Sequence, residues 1–146
     1  IGILVLTIVV GIAATGADLP EAFGNAAQGM FAWIADLEAI AEREERWVEV
    51  QGRDLDSLLV GFLNELNFIF ETQRFLFRRL QILSIAPDSR SMDDPAAEYR
   101  LIARGFGEPL DPERHQVRSQ VKAATFHSLK IEQGPGGCRV QLILDI

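Results

Sequence analysis

Cysteine is almost absent from this sequence, since Cys138 is the only one in 146 residues. A single thiol excludes an internal disulfide and fits a reducing compartment. A chain of this length buries roughly 70% of the surface that its unfolded form exposes, so its core needs no covalent cross-link. We therefore predict a single domain over residues 1–146, with Cys138 as a small apolar side chain in a strand.

Basic residues are also in deficit, with 14 Lys and Arg against 21 Asp and Glu and a formal net charge of −7. The excess acidity belongs to residues 1–60, which hold three basic and ten acidic side chains, whereas residues 61–146 hold eleven of each. Nucleic-acid binding through bulk charge requires a basic face. The composition therefore argues against binding of RNA or DNA through bulk charge, although a local basic patch stays an alternative.

The apolar stretch at the start of the sequence is shorter than a membrane span. Residues 1–14 carry Thr7 as their only polar side chain, whereas a transmembrane helix needs about 20 apolar residues. A secretory signal would open with basic residues, and this stretch has none. Its β-branched composition predicts a buried strand. A shortened membrane anchor is the alternative interpretation.

Motifs of catalysis are missing as well. The sequence contains no Ser/His/Asp or Cys/His arrangement, no Walker motif and no glycine-rich phosphate loop. A small enzyme acting through His115, His127 and Lys122 is one hypothesis, but these residues show no nucleophile paired with a base. We therefore expect a protein that is not an enzyme.

Two stretches carry the spacing of amphipathic helices. Apolar residues recur at i, i+3, i+4 and i+7 over residues 19–34 and again over residues 55–70. Asp18 and Asp54 precede these stretches and are well suited as N-caps, because a carboxylate can accept the free N–H groups of a first helical turn. The pattern predicts two helices, each with one apolar face.

Strands and loops fill the rest of the sequence. Residues 36–46 form a charged surface segment, residues 88–95 a polar loop, and Gly134-Pro135-Gly136-Gly137 a turn. We expect the strands predicted over residues 75–86 and 98–106 to pair. Together with the helices they predict an α+β fold, a mainly antiparallel sheet with two amphipathic helices packed on one face. The predicted strands cover residues 47–50, 75–86, 98–106, 123–132 and 138–144.

Groups capable of chemistry concentrate in residues 105–146. Both histidines and Lys122, one of two lysines, lie there, and Asp145 adjoins the carboxylate of Ile146. Two neighbouring carboxylates offer the oxygen ligands that hard cations such as Ca²⁺ and Mg²⁺ prefer. The alternative is a frayed, solvated chain end, against which the preceding apolar strand argues.

Several motifs occur in a distinctive order and spacing along the sequence. They are Gly16-Ala17-Asp18-Leu19-Pro20-Glu21-Ala22-Phe23, Leu58-Leu59-Val60 with Phe62-Leu63-Asn64-Glu65-Leu66, Gly107-Glu108-Pro109-Leu110-Asp111 with Arg114-His115, Lys122-Ala123-Ala124-Thr125-Phe126-His127, and Asp145-Ile146. Together these motifs resemble the archease family. The similarity covers nearly the whole sequence from Gly11 onward, and the order and spacing of the motifs are more specific than any one of them.

The resemblance implies a non-catalytic accessory protein of the RNA-splicing ligase that joins tRNA exon halves. In that family the protein speeds transfer of GMP from GTP to the active-site histidine of the ligase and supports multiple turnover. We accordingly assign Lys122, which matches the family Lys-Ala-x-Thr motif, with His127 and His115, to activation and partner contact. The resemblance also implies that Asp145 and Ile146 hold a divalent metal, Ca²⁺ before Mg²⁺ or Mn²⁺. GTP and tRNA would be met only through the ligase, in the cytoplasm and without a membrane.

The first strand departs from the family pattern. Archeases carry His-Thr-Ala-Asp there, and this Asp is a metal ligand essential to activation. Aligned on Gly11-Ile12, the present sequence has Leu6-Thr7-Ile8-Val9. Valine offers no oxygen to a cation, so the metal site should be severely weakened unless another acid substitutes or this segment is itself altered. The alternative function is a protein-binding module of the same fold that has lost the metal site.

Overall fold

In the computed structural model of the protein, residues 9–87 and 98–146 are described. The strand predicted over residues 1–14 is therefore described only from Val9, and the loop predicted over residues 88–95 lies outside the described residues. No helix within these two ranges is both long and apolar enough to cross a membrane. In chain order the elements are β1 (Val9–Gly16), α1 (Leu19–Ile34), a 3₁₀ turn (Leu37–Ala39), β2 (Glu44–Gly52), α2 (Leu55–Gln73), β3 (Phe75–Pro87), β4 (Tyr99–Pro109), β5 (Ala123–Ala124), β6 (Lys130–Gly134) and β7 (Gly137–Asp145).

Each of the two helices begins after an aspartate N-cap. The side chain of Asp18 accepts a hydrogen bond from the Glu21 N–H at 2.9 Å, and that of Asp54 accepts one from the Ser57 N–H at 2.7 Å. These bonds satisfy N–H groups that have no partner inside the helix. Both predicted helices and both caps are confirmed, and α2 continues beyond the predicted end to Gln73.

The strands form two antiparallel sheets. Strands β1, β7 and β5 lie side by side, β6 pairs with β7, and the second sheet has the order β2-β4-β3. Helix α1 contacts β1 and β3, and α2 contacts β2. The predicted α+β class and the predicted pairing of β3 with β4 are confirmed. The division of the strands between two sheets was not predicted, because alternation in the sequence identifies the buried face of a strand but not the neighbour with which it pairs.

The strand predicted over residues 123–132 is interrupted, and that prediction was wrong. Only β5 and β6 are extended, with a turn between them. The N–H and Oγ1 of Thr125 both donate to the Ile143 carbonyl oxygen, at 3.0 and 2.9 Å, and Ser128 has a φ of 53° in the left-handed region. A hydroxyl bonded to the backbone and a single left-handed residue leave no mark on apolar alternation.

Strand β2 begins earlier than predicted, at Glu44. Its residues alternate between an exposed face, with Glu45, Trp47 and Glu49, and a face that carries the buried Val48. Charged side chains are compatible with a strand that has one face in water. The charged segment predicted over residues 36–46 therefore ends in strand rather than in loop.

Aromatic side chains join the two helices to the second sheet. The ring of Phe31 in α1 lies 5.5 Å from that of Phe77 in β3 and 6.3 Å from that of Phe70 in α2, edge to face. Phe75 meets Phe77 at 4.9 Å. Such pairs contribute about 0.5–1.5 kcal/mol each beyond the free energy gained from the area that they bury.

Cys138, in β7, is buried, as predicted.

Replacing Gly61 by alanine is expected to stabilise the protein. Gly61 lies inside α2, where a Cβ would meet no atom within 4 Å apart from the backbone of its own helix. Because alanine loses less backbone entropy than glycine in a helix, the free energy of unfolding should rise by about 0.5–1 kcal/mol. Urea unfolding measures the change. Gly24→Ala in α1 is the control and should destabilise, because its Cβ would lie 2.9 Å from the Leu80 carbonyl oxygen.

Candidate functional site

Three residues lie side by side across the first sheet. Val9 of β1 is opposite Asp145 of β7, and Asp145 is opposite Ala123 of β5. Directly opposed residues of antiparallel strands carry their side chains on the same face, with Cβ atoms about 4.5–5.5 Å apart. Val9 is 50% exposed, so this face is in contact with solvent. We call these three positions the Asp145 row.

The fold holds the last two residues of the sequence in place. Asp145 ends β7 and is paired with a strand on both sides. The Ile146 side chain is partly buried against the core, and Leu144 before it is fully buried. These contacts argue against the frayed chain end that was the alternative interpretation.

Lys122 directly precedes β5 and has an exposed side chain. Its N–H donates a hydrogen bond to the Asp145 carbonyl oxygen at 2.8 Å. Two of the predicted site residues, far apart in sequence, are therefore joined through their backbones.

His127 lies in the exposed turn between β5 and β6. Its N–H donates to Thr125 Oγ1 at 3.2 Å, and the Leu129 N–H donates to the Phe126 carbonyl oxygen at 3.2 Å. His127 is exposed, and Phe126 is 59% exposed. The turn that follows β5 thus presents an imidazole and an aromatic ring to solvent.

His115 belongs to a different environment, a buried cluster around Glu108 near the end of β4. His115 is 4% exposed and Glu108 is 1% exposed. The Asp111 N–H donates to Nδ1 of His115 at 2.9 Å, so the proton resides on Nε2, which donates to Glu108 Oε2 at 3.0 Å. Both ring nitrogens are engaged inside the chain. Burial and these two hydrogen bonds argue against the predicted partner contact of His115 and favour a role in holding this loop.

The Glu108 carboxylate is held by further hydrogen bonds and charges. Arg114 donates to it from both terminal nitrogens, at 3.0 and 2.6 Å, the Ala41 N–H donates at 2.5 Å, and Arg43 lies 3.7 Å away. Burial raises the pKa of Glu108, but the hydrogen bonds from Arg114, Ala41 and His115 outweigh burial and lower the pKa to about 2. We call these residues the Glu108 cluster. It is a structural anchor that stays ionised at neutral pH.

Two asparagines of α2, to which sequence analysis assigned no role, contact residues 121–125, which we call the Lys122 segment. Asn64 exchanges hydrogen bonds with the backbone of Ala124, and Asn67 donates to the Val121 carbonyl oxygen. The available signals were the place of Asn64 in one of the family-like motifs and a second amide three residues later, Asn67, among the buried positions of the helix.

The Asp145 row supplies few ligands for a hard cation. Val9 and Ala123 bring no oxygen in their side chains, so the Asp145 carboxylate is the one side-chain ligand that the row offers. Ca²⁺ takes about six to eight oxygen ligands. Among residues 9–87 and 98–146, no group of three or more His, Cys, Asp or Glu is arranged to hold a metal ion. The residues present therefore do not complete a hard-cation site.

Comparison with known proteins finds relatives along nearly the whole chain. The sequence model of the Archease protein family matches residues 10–146. Protein archease of Pyrococcus abyssi is 38% identical over 138 residues, 94% of this chain and 92% of that protein. Protein archease of Methanosarcina mazei is 35% identical over 133 residues, 91% and 86% of the two chains. The solution structure of Methanobacterium thermoautotrophicum protein 1598 is similar with a TM-score of 0.73 and 34% identity, over 98% of this chain and 96% of that chain. The chain belongs to the archease family.

Proposed function

We propose that this protein is a non-catalytic accessory protein that activates an RNA-splicing (tRNA) ligase by promoting its guanylylation and multiple turnover. Family membership is the observation that carries the proposal. The backbone bond between Lys122 and Asp145 supports it, because it joins two of the motifs that resemble the family. The proposed setting is the cytoplasm.

In this proposal Lys122 acts through its charge. A lysine ammonium is a compact cation with three hydrogen-bond donors, and the exposed side chain can reach into a partner. Transfer of GMP from GTP builds negative charge on phosphate oxygens, and a cation held where charge develops lowers the barrier. The ligase supplies the nucleophilic histidine and binds GTP and tRNA. The accessory protein therefore meets these substrates only through the ligase.

The exposed turn is the proposed second contact with the ligase. His127 and Phe126 lie together in the turn that follows β5, directly after the segment that carries Lys122. The exposed Phe126 ring can bury apolar area at an interface, and the exposed His127 imidazole can donate a hydrogen bond there. Contact at this turn would orient Lys122 toward the partner.

A divalent cation is the proposed third feature, with Ca²⁺ favoured over Mg²⁺ and Mn²⁺. Asp145 and the Ile146 carboxylate are its proposed ligands. Because Val9 replaces the family aspartate directly opposite Asp145, we propose that the affinity is low. The proposed action of the Lys122 ammonium does not depend on this cation.

A docking module without activation is the second candidate function. The pairing of Val9 with Asp145 favours it, because an apolar side chain occupies the position where the family has a metal ligand. Such a module would keep the fold and the ligase contact but would not accelerate guanylylation.

Ligase guanylylation with radiolabelled GTP tests the proposal. Purified RNA-splicing ligase is incubated with and without this protein, and both the initial rate of GMP transfer and the number of joined RNA molecules per ligase are measured. The proposal predicts that both quantities increase. Binding to the ligase without an increase in either one would favour the docking module. Absence of both binding and stimulation would reject the two functions together.

Replacing Val9 by aspartate is expected to raise cation affinity by at least about 10-fold, because it adds a carboxylate beside Asp145 and even outer-shell ligand partners change metal affinity by about 10–100-fold. Calorimetric titration with Ca²⁺ and Mg²⁺ measures the affinities of both proteins. Ala13→Asp is the matched control, since Ala13 is exposed on the same strand but lies opposite Gln141. Equal affinities for the original chain and Val9→Asp would show that Asp145 and Ile146 suffice.

A further inference from the structure

Helix α2 holds the backbone of the Lys122 segment from the side opposite β7. Oδ1 of Asn64 accepts the Ala124 N–H at 2.7 Å, and Nδ2 of Asn64 donates to the Ala124 carbonyl oxygen at 3.3 Å. One turn later, Nδ2 of Asn67 donates to the Val121 carbonyl oxygen at 2.8 Å. The three bonds bracket Lys122 on both sides in sequence.

These bonds replace a missing neighbouring strand. Strand β5 consists of Ala123 and Ala124 alone and pairs only with β7 in the described structure. The Lys122 N–H and the Thr125 N–H point to β7, where they bond to Asp145 and Ile143. The N–H and C=O of Ala124 point away from β7, and the Asn64 amide meets both as a paired strand would.

Asn67 makes its bond to the segment from inside the core. It is 5% exposed, and its Nδ2 donates to the Val121 carbonyl oxygen. An apolar side chain at this position would lose the bond to Val121. The arrangement favours a fixed backbone at this segment.

We propose that Asn64 and Asn67 are positioning residues for Lys122. They fix the backbone on which the ammonium is presented, so that the side chain enters the partner from a rigid base. Preorganised charge is more effective than charge that must be ordered at the moment of reaction. The functional part of this inference depends on the proposed ligase activation, whereas the structural part does not.

Amide hydrogen exchange of the free protein tests the structural part. In Asn64→Ala, exchange at the Lys122 and Thr125 amides should accelerate by about 10-fold, since two hydrogen bonds of the segment are lost. Asn25→Ala is the matched control, because Asn25 of α1 also donates to a strand carbonyl, that of Thr15 at 2.8 Å. Unchanged exchange at Lys122 in Asn64→Ala would overturn the inference.

Ligase kinetics test the functional part. With Asn64→Ala, the maximal stimulated rate should fall by about 10-fold, while the concentration of this protein that gives half-maximal stimulation changes little. A merely destabilised protein would recover full stimulation at higher concentration or lower temperature. Asn64→Asp keeps the acceptor for the Ala124 N–H, so its maximal stimulated rate should lie between those of the original chain and Asn64→Ala. An unchanged maximal rate in Asn64→Ala, with the original chain active, would overturn the positioning role. An inactive original chain would instead reject the proposed function, and the exchange experiment would still decide the structural part.

Discussion

Replacement of Lys122 by alanine is expected to lower the stimulated rate of ligase guanylylation by about 100-fold. Removing one preorganised hydrogen-bond donor from a reacting centre typically lowers the rate by this factor. The fold should survive, since the Lys122 side chain is exposed and its contact with Asp145 is made by the backbone. The measurement is the initial rate of GMP transfer at saturating accessory protein. Thermal unfolding of the same preparation checks that the protein is folded.

Lys130→Ala is the matched control, because Lys130 is the other lysine of the chain and is also exposed, in β6. It should stimulate the ligase normally. Lys122→Arg keeps the charge but changes its shape, so partial activity is expected. If Lys122→Ala and the original chain stimulated equally, the role proposed for the ammonium would be wrong, and the docking module would become the better account.

Replacement of Glu108 by glutamine is expected to destabilise the protein by ~3 kcal/mol at pH 7. Folding lowers the pKa of this carboxyl from 4.5 to about 2, and such a change stabilises the folded state by ~3 kcal/mol when the group is ionised in both states. The variant also leaves Arg114 beside a neutral side chain, but the Arg114 side chain is 44% exposed, so water can solvate its charge and this adds little. Urea unfolding at pH 7 measures the difference.

The pH dependence follows from the direction of this change. Because the folded pKa is lower than the unfolded one, the contribution of Glu108 is present above about pH 5 and is lost as the pH falls toward 2. The original chain and Glu108→Gln should therefore converge in stability only as the pH falls to about 2. Glu45→Gln is the control, since Glu45 pairs with Arg104 on the exposed face of the sheet, where ion pairs contribute little. A pH-independent difference at position 108 would point to lost shape rather than lost charge.

The surroundings of the Glu108 cluster could not be predicted from its motif. Glu108, Arg114 and His115 belong to a motif that resembles the family, and the motif suggested a partner contact for the histidine. The structure instead buries the imidazole between the Asp111 N–H and the Glu108 carboxylate. Residue types and spacing identified the motif, but burial, which depends on every packed neighbour, decided its role.

Local signals predicted the helices well. Asp18 and Asp54 cap their helices as expected, because the cap and the first turn are adjacent in sequence and the apolar period persists over several turns. The break in the strand at Thr125 was not predicted, because it depends on a hydrogen bond to the Ile143 carbonyl oxygen on another strand. The contact of Asn64 with Ala124 was not predicted for the same reason, since the two residues are 60 positions apart.

The sequence by itself determined the two helices, the α+β class and the family resemblance. These properties depend on residue identity, on local period or on spacing along the chain. Only the tertiary structure decided that Val9 lies opposite Asp145, that the Lys122 backbone is joined to Asp145, and that two asparagines of α2 clamp the same segment. Strand register and helix-to-strand hydrogen bonds join residues that are distant in sequence, and their energies are gained only when the whole core has packed.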